Sequence, residues 1–357
     1  MRLLFAMLWH MAVLVPLHAS EKGPGGEVAS KTPAPRKLKD IPVTEANIHK
    51  AVERALPPLW KGLEGYNETQ TCFACHHHGV GLLAFGTARS RGYEIDEKKL
   101  QEQIDYISAD LERSRPNFEK GKGPGAPGGG ETDNTGYALL GLAAVGHKPD
   151  KATTAIVNYT LGHQKTRPYW CTLTRRYPTE ASSFTTTALN IRGLMVYRNK
   201  EQIELADKRI AEAKDWLLET AAKDTEDRVF RLIGLKAATA EASEVKKAME
   251  ELQKTQREDG GWGQLDTMSS DPYATATALY ALHTAGGVAV EDAGWQKGVR
   301  FLLGTQEDDG SWFVKSRSKP VQKQFDSGFP HGKDQFISCA ATGWATAVLA
   351  LATPLKK

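Results

Sequence analysis

Two kinds of segment alternate along the chain. One kind is apolar on every side and rich in Ala, Leu, Gly and Thr, as in the run from Thr275 to Leu282, which suits a helix buried all round. The other, such as Ala206 to Leu218 or Ser243 to Gln256, sets apolar residues at helical spacing among Lys and Glu, the pattern of an amphipathic helix. An anchor of a small residue followed by a large apolar one recurs at Leu82, Leu139, Leu189, Leu232, Leu279 and Val348, at intervals of 43 to 69 residues. Each interval has room for two helices and their loops. Six hairpins are predicted, each with one inner and one outer helix.

Composition narrows the class without changing that picture. Of 357 residues, 40% are hydrophobic and 25% charged, with 46 Lys+Arg against 43 Asp+Glu, so an ordinary apolar core holds the protein. With no basic block, nucleic acid is not the expected partner. Four cysteines are too few to frame the fold. Residues 1–20 read as a signal peptide: Arg2, an apolar run from Leu3 to Leu17 broken by His10, then small residues. The run is too short to span a membrane, so the expected location is periplasmic or secreted, with no membrane span in the mature chain. Residues 21–43 read as a flexible leader, and 44–354 as one domain.

A second repeat follows three outer helices, in which Gln precedes Trp by six residues: Gln164 to Trp170, Gln256 to Trp262 and Gln306 to Trp312. The last two share Gln-x-x-Asp-Gly-x-Trp, while the first lacks the Asp-Gly. This pattern resembles the QW repeat of the squalene–hopene cyclase and protein prenyltransferase superfamily. The resemblance implies an all-α (α/α)6 toroid, with six inner helices around a cavity and six outer helices outside them. The Gln amide is expected to bond free backbone groups at a helix end and the Trp to pack across the turn, a structural role.

In such a ring the N-terminal ends of the inner helices share one rim, and the unusual residues map there. Cys72-x-x-Cys75-His76 has the spacing of c-type haem attachment, with both thiols bonded to the macrocycle and His76 as iron ligand. Val80, Leu82, Leu83 and Phe85 are expected to line the porphyrin. His331 and Met268 are candidate sixth ligands. A zinc site from Cys72, Cys75 and Cys339 with His76 or His331, and a plain disulfide or reduced pair, are the alternatives. His77 and His78 read as solvated or helix-end residues. Acidic residues recur near the inner-helix starts: Glu131, Asp133, Glu180, Asp224, Glu226, Asp227, Asp271 and Asp334. Capping accounts for such residues, and a carboxylate ring at the cavity mouth is the sharper reading. Asp326, His331 and Asp334, in the long segment before the sixth anchor, form its densest part and are candidate catalytic groups.

The family's own chemistry is incomplete here. Squalene–hopene cyclases protonate an alkene with Asp-x-Asp-Asp, whereas Asp224-Thr225-Glu226-Asp227 carries Glu within the motif. The Asp-x-Cys zinc pair of prenyltransferase β subunits is missing. The whole chain is similar to secreted bacterial proteins that join cyclase-type repeats to an N-terminal CxxCHH segment, through Phe184 to Leu189, Asp224 to Arg228 and Phe329 to Phe336. The sequence therefore points to an exported haem c redox protein with a redox partner. The alternatives are a haem-free enzyme holding a terpenoid, lipid or glycan in its cavity, and a non-catalytic binding module.

Overall fold

Short polar side chains start the inner segments. Ser182 Oγ accepts from the N–H groups of Phe184 (3.1 Å) and Thr185 (3.4 Å), Asp224 from Asp227 (3.0 Å), and Asp271 from Ala274 (3.0 Å). These contacts satisfy amides that a helix leaves free at its start. The computed structural model describes residues 38–124, 132–172, 174–319 and 323–353, with Cys75 and His76 as backbone only. The signal peptide, most of the leader and Glu131 lie outside the described residues.

The inner helices are α2 (Val80–Ser90), α4 (Thr132–Ala144), α6 (Ser183–Tyr197), α8 (Thr225–Ala237), α10 (Pro272–Thr284) and α12 (Gln335–Leu351). All six anchors fall on them. The outer helices are α1 (Glu45–Thr69), α3 (Glu97–Glu119), α5 (Lys151–Gly162), α7 (Ile203–Glu219), α9 (Ala242–Gln253) and α11 (Ala293–Thr305). Each inner helix packs against the next, and α12 returns to α2, so the hairpins close into an (α/α)6 toroid. The architecture is all-α; among the described residues the only β-type pairing is an isolated bridge between Arg176 and Glu180. Inner helices approach closely because they are rich in small residues. A Cβ on Gly86 would stand 2.3 Å from the carbonyl oxygen of Ala144 on α4. Residues 38–43, read from the sequence as leader, lie on α11, where Lys39 N–H donates to Gly304 O (3.0 Å).

The QW turns join neighbouring outer helices. Gln256 donates to Gly260 O in its own turn (2.8 Å) and to Gly294 O at the start of α11 (2.7 Å). Gln306 donates to Gly310 O (2.9 Å) and to Ala51 O on α1 (2.8 Å), which seals the ring. Each Trp gives its backbone N–H to a threonine of an inner helix, Thr187, Thr275 or Thr342, and its indole N–H to a carbonyl ten residues back. In the copy without Asp-Gly, the Gln164 amide bonds only Cys171. There Arg209 of α7 makes the outward link, donating to Arg167 O (2.7 Å) and lying 4.6 Å from the Trp170 ring centre. The Trp residues of these turns are structural, as expected.

Candidate active site

Four acidic residues at the start of α8 and α10 have different environments. Asp224 and Asp271 cap their helices. Asp227 accepts from Ser182 Oγ (2.6 Å) and the Lys223 N–H (3.0 Å). Glu226 points inward with Phe230 and Ile233, four and seven residues on, the spacing of one helix face. Its Oε1 accepts from Thr185 Oγ1 (2.8 Å) and Tyr273 O–H (3.2 Å), while Oε2 is buried without a hydrogen-bond partner. Burial, followed by the nearby Asp224 charge, holds this carboxyl well above the usual carboxylate range, which favours its neutral form. Asp133, on α4, accepts from Thr186 Oγ1, and burial lifts it to about 6. Glu226 and Asp133 thus flank the first turn of α6.

The bore below is occupied by aromatic side chains. Tyr273 of α10 meets Tyr137 of α4 from the opposite side of the ring; because the Tyr273 proton goes to Glu226, the Tyr137 proton is shared between Tyr273 Oη and Thr179 O (3.2 Å). Deeper, Trp344 meets Phe230 and Tyr280 edge-on, at 6.4 and 5.0 Å between ring centres. Above, the loops entering α6 and α12 meet at Tyr177. Arg317 Cζ lies 5.1 Å from the Tyr177 ring centre, and Ser318 Oγ donates to Tyr177 O (2.9 Å). Arg317 Nε also donates to Gln264 Oε1 (2.7 Å). Among the described residues the bore carries these aromatic side chains, and the loops entering α6 and α12 meet over part of the mouth.

The CxxCHH segment forms a π-helical turn, Cys75–Gly79, leading into α2. His77 and His78 are both fully buried, contrary to the expectation of solvated histidines. The N–H of Ala74 donates to His78 Nδ1 (3.2 Å), so Nε2 carries the proton and donates to Asn67 Oδ1 (2.7 Å). His77 Nε2 pairs with Ser327 Oγ (3.0 Å). Ser327 donates its own proton to Gln335 Oε1 (2.6 Å), so His77 is the donor. Burial lowers His78 to about 3. The unfolded chain takes up this proton near pH 6.5 and the native state only near 3, so stability is lost as pH falls through that window. Between pH 7 and 4 the wild type should lose about 3 kcal/mol more than His78→Gln. Urea denaturation at several pH values checks this, and parallel curves would refute it.

Cys72 is half-buried, its Sγ 3.7 Å from Tyr66 O–H, beside a cleft of about 240 Å³ lined by Asp110, Arg113, Asn117 and Asn134. That is smaller than ordinary ligand pockets, and its walls mix these polar groups with Phe73, Leu111 and Pro124. The residues expected to line a porphyrin instead fill the core: Phe85 stacks on Trp60 at 3.7 Å between ring centres, and Val80, Leu82 and Leu83 are buried. Among the described residues, which leave out 125–131 and the side chains of Cys75 and His76, no enclosing wall for a macrocycle stands beside Cys72.

The other candidates are engaged locally. Asp326 is exposed and accepts from the Gly328 N–H (2.8 Å). His331, at φ 82°, pairs with Ser311 Oγ of the third QW turn (2.7 Å), and Asp334 accepts from the Ser316 N–H (2.9 Å). His331 and Asp334 are joined through the backbone, the Asp334 N–H donating to His331 O (3.0 Å), while the side chains take the different partners just named. The Met268 carbonyl accepts from Arg257 beneath the second QW turn. Cys339 is buried in α12, which pushes its thiol up toward the neutral form. Among the described residues no three His, Cys, Asp or Glu side chains are grouped as a metal site. Sequence reading placed Glu226 at a helix start; its signal was the inward phase it shares with Phe230 and Ile233.

Residues 192–355 match the squalene-hopene cyclase C-terminal domain family. Solved structures share the fold across most of the chain. The type II terpene cyclase MstE from Scytonema, in its apo form, is 15% identical with a TM-score of 0.53, covering 86% of this chain and 99% of that one. Its D109A variant with the product merosterolic acid A gives 15% identity and a TM-score of 0.55, over 88% and 100% of the two chains. A possible GH105 family member from Salmonella enterica is 14% identical with a TM-score of 0.55, over 85% and 93%. No curated protein sequence matches the chain. The chain shares the (α/α)6 toroid fold of these structures. Among the described residues no helix is long and apolar enough to cross a membrane.

Proposed function

We propose that the protein is a Brønsted-acid enzyme that isomerises an apolar, alkene-bearing isoprenoid, with Glu226 as proton donor. The observation that carries this reading is a buried carboxyl at the mouth of a cyclase-type ring, its Oε1 held by Thr185 and Tyr273 and its Oε2 without a partner, with burial raising its pKa above the usual carboxylate range. Such a group transfers its proton to a C=C bond, forming one C–H bond and a carbocation. Attack by a second C=C closes a ring, and loss of a proton restores neutrality, so the mass is unchanged. Asp224 and Asp227 are engaged by N–H and O–H donors. Glu in place of Asp within the motif adds one methylene and leaves the acid function intact. The Scytonema cyclase has been solved with geranylgeranyl dihydroxybenzoate as substrate, and a prenyl chain is the class assigned here. Incubation with geranylgeraniol, followed by gas chromatography and mass spectrometry, should reveal isomers of unchanged mass. Recovery of unaltered geranylgeraniol, and likewise of squalene, would overturn the reading.

A second reading is favoured by Cys72, whose thiol opens on a cleft while Cys339 is sealed in α12. In it the protein is exported, and Cys72, Cys75 and His76 would hold a haem c that supplies one-electron chemistry at the rim. Co-expression with haem-attachment machinery should then give a Soret band that survives denaturation and is lost in Cys72→Ala. A colourless wild type removes this reading and leaves the first untouched.

A further inference from the structure

We propose that Asp133 is the proton acceptor that ends the reaction Glu226 begins, so that two buried carboxyls on different walls of the bore work as base and acid. The assignment rests on Glu226 as the acid and supplies the group to which the departing proton goes.

Helix α6 packs between α4 and α8 and links the two carboxyls through consecutive residues. Thr185 Oγ1 donates to Glu226 Oε1 (2.8 Å), and Thr186 Oγ1 donates to Asp133 Oδ1. Consecutive Cα atoms are about 3.8 Å apart, which sets the carboxyls on the order of 10 Å from each other, the reach of a short prenyl segment. Both border one space. Tyr137 follows Asp133 by four residues on the same face of α4, and the Tyr273 that it meets across the bore donates to Glu226 Oε1 (3.2 Å).

The hydrogen bonds let Asp133 change its protonation state. Asp224 and Asp271 accept fixed backbone N–H groups, and Glu180 is paired with Arg176 (2.9 Å), so a proton on any of these carboxylates strands a donor. The Thr186 hydroxyl instead has a second acceptor in reach, Ser182 O at 3.2 Å. When Asp133 takes up a proton, Thr186 turns its own hydrogen to Ser182 O and accepts from the new carboxylic acid. In the reaction, Glu226 gives a proton to one carbon of a C=C bond and leaves a carbocation. The Asp133 carboxylate then removes a proton from a carbon next to the cation, and that C–H electron pair becomes the new C=C bond. Asp133 ends as the acid and Glu226 as the carboxylate, held by Thr185 and Tyr273; exchange with water moves the proton back.

The charged groups facing Asp133 belong to the loop before α6. Burial has the largest effect and raises its pKa, the Thr186 hydrogen bond lowers it, Glu180 raises it and Arg176 lowers it, to about 6. His77, on the π-helical turn packed against α4, is held by Ser327.

Turnover of geranylgeraniol by the full chain, followed by gas chromatography and mass spectrometry at a series of pH values, tests the pair. The wild-type rate should fall as pH drops through about 6, where Asp133 gains its proton. Asp133→Asn should be about 100-fold slower, should lose that acid limb, and should divert product to alcohols one water heavier, because water then meets the cation. Asp133→Glu keeps the carboxylate and should restore part of the rate and the unhydrated isomers. Asp133→Asn with the rate, acid limb and products of the wild type overturns the assignment and leaves Glu226 standing. If the Asn variant does not fold, a wild-type rate that stays level from neutral pH to about 5 overturns it instead. A wild type that converts neither geranylgeraniol nor squalene overturns acid and base together.

Discussion

Glu226→Gln should reduce isoprenoid conversion by about 10³-fold or more, while the melting temperature stays within a few degrees of wild type. Gln keeps the shape and neutrality of the protonated acid. Its Oε1 accepts the same bonds from Thr185 and Tyr273, and its amide occupies the position of the unpartnered Oε2. It cannot release a proton to an alkene. Glu226→Asp retains the acid but withdraws it by one methylene, so it should keep part of the activity. Because burial raises the Glu226 pKa, wild-type turnover should persist at neutral pH and fall on the alkaline side as the group ionises. Full activity in Glu226→Gln would place the chemistry elsewhere.

Gly310→Ala should destabilise the fold by about 3 kcal/mol or more, the largest stability effect anticipated. Gly310 has φ 88°, which favours glycine, and a Cβ there would lie 1.9 Å from Arg54 O on α1. The turn has no room to retreat. Arg54 Nη2 holds Glu307 O and Asp308 O at 2.9 Å, and Gln306 bonds Ala51 on the same helix. Since this turn seals α11 to α1, the substitution strains the closure of the whole ring. Gly287→Ala is the control: at φ 72°, with nothing within 4 Å of an added Cβ, it should cost only about 1 kcal/mol. Urea midpoints for the two variants test the difference, and equal midpoints would show that the contact with α1 is unimportant.

The same positions show how far local pattern reaches. The anchors from Leu82 to Val348 found the six inner helices because a helix buried on every side leaves a composition that needs no knowledge of its neighbours. Gln306 and Trp312 revealed a turn for a similar reason: their six-residue spacing is local geometry. Asp224 and Asp271 were readable as caps, since a cap bonds an amide three residues away. Asp326, His331 and Asp334 shared a segment but engage different partners, because closeness along a loop does not orient side chains toward one point.

By itself the sequence determined the alternation of buried and amphipathic helices and its sixfold repetition, since these follow from periodic burial and short-range turns; closure into a toroid was what the resemblance to the QW-repeat superfamily implied. Tertiary structure alone decided which carboxyl is sealed from water, and that Tyr137 and Tyr273 meet across the bore. It also decided that His77 and His78 are buried and that two distant loops meet at Tyr177. Each of these depends on desolvation by residues remote in the chain. Glu226 is 47 positions from Tyr273, and Ser318 is 141 from Tyr177. A side chain's charge and accessibility are set by everything packed around it, and at those separations only the folded ring brings the surroundings together.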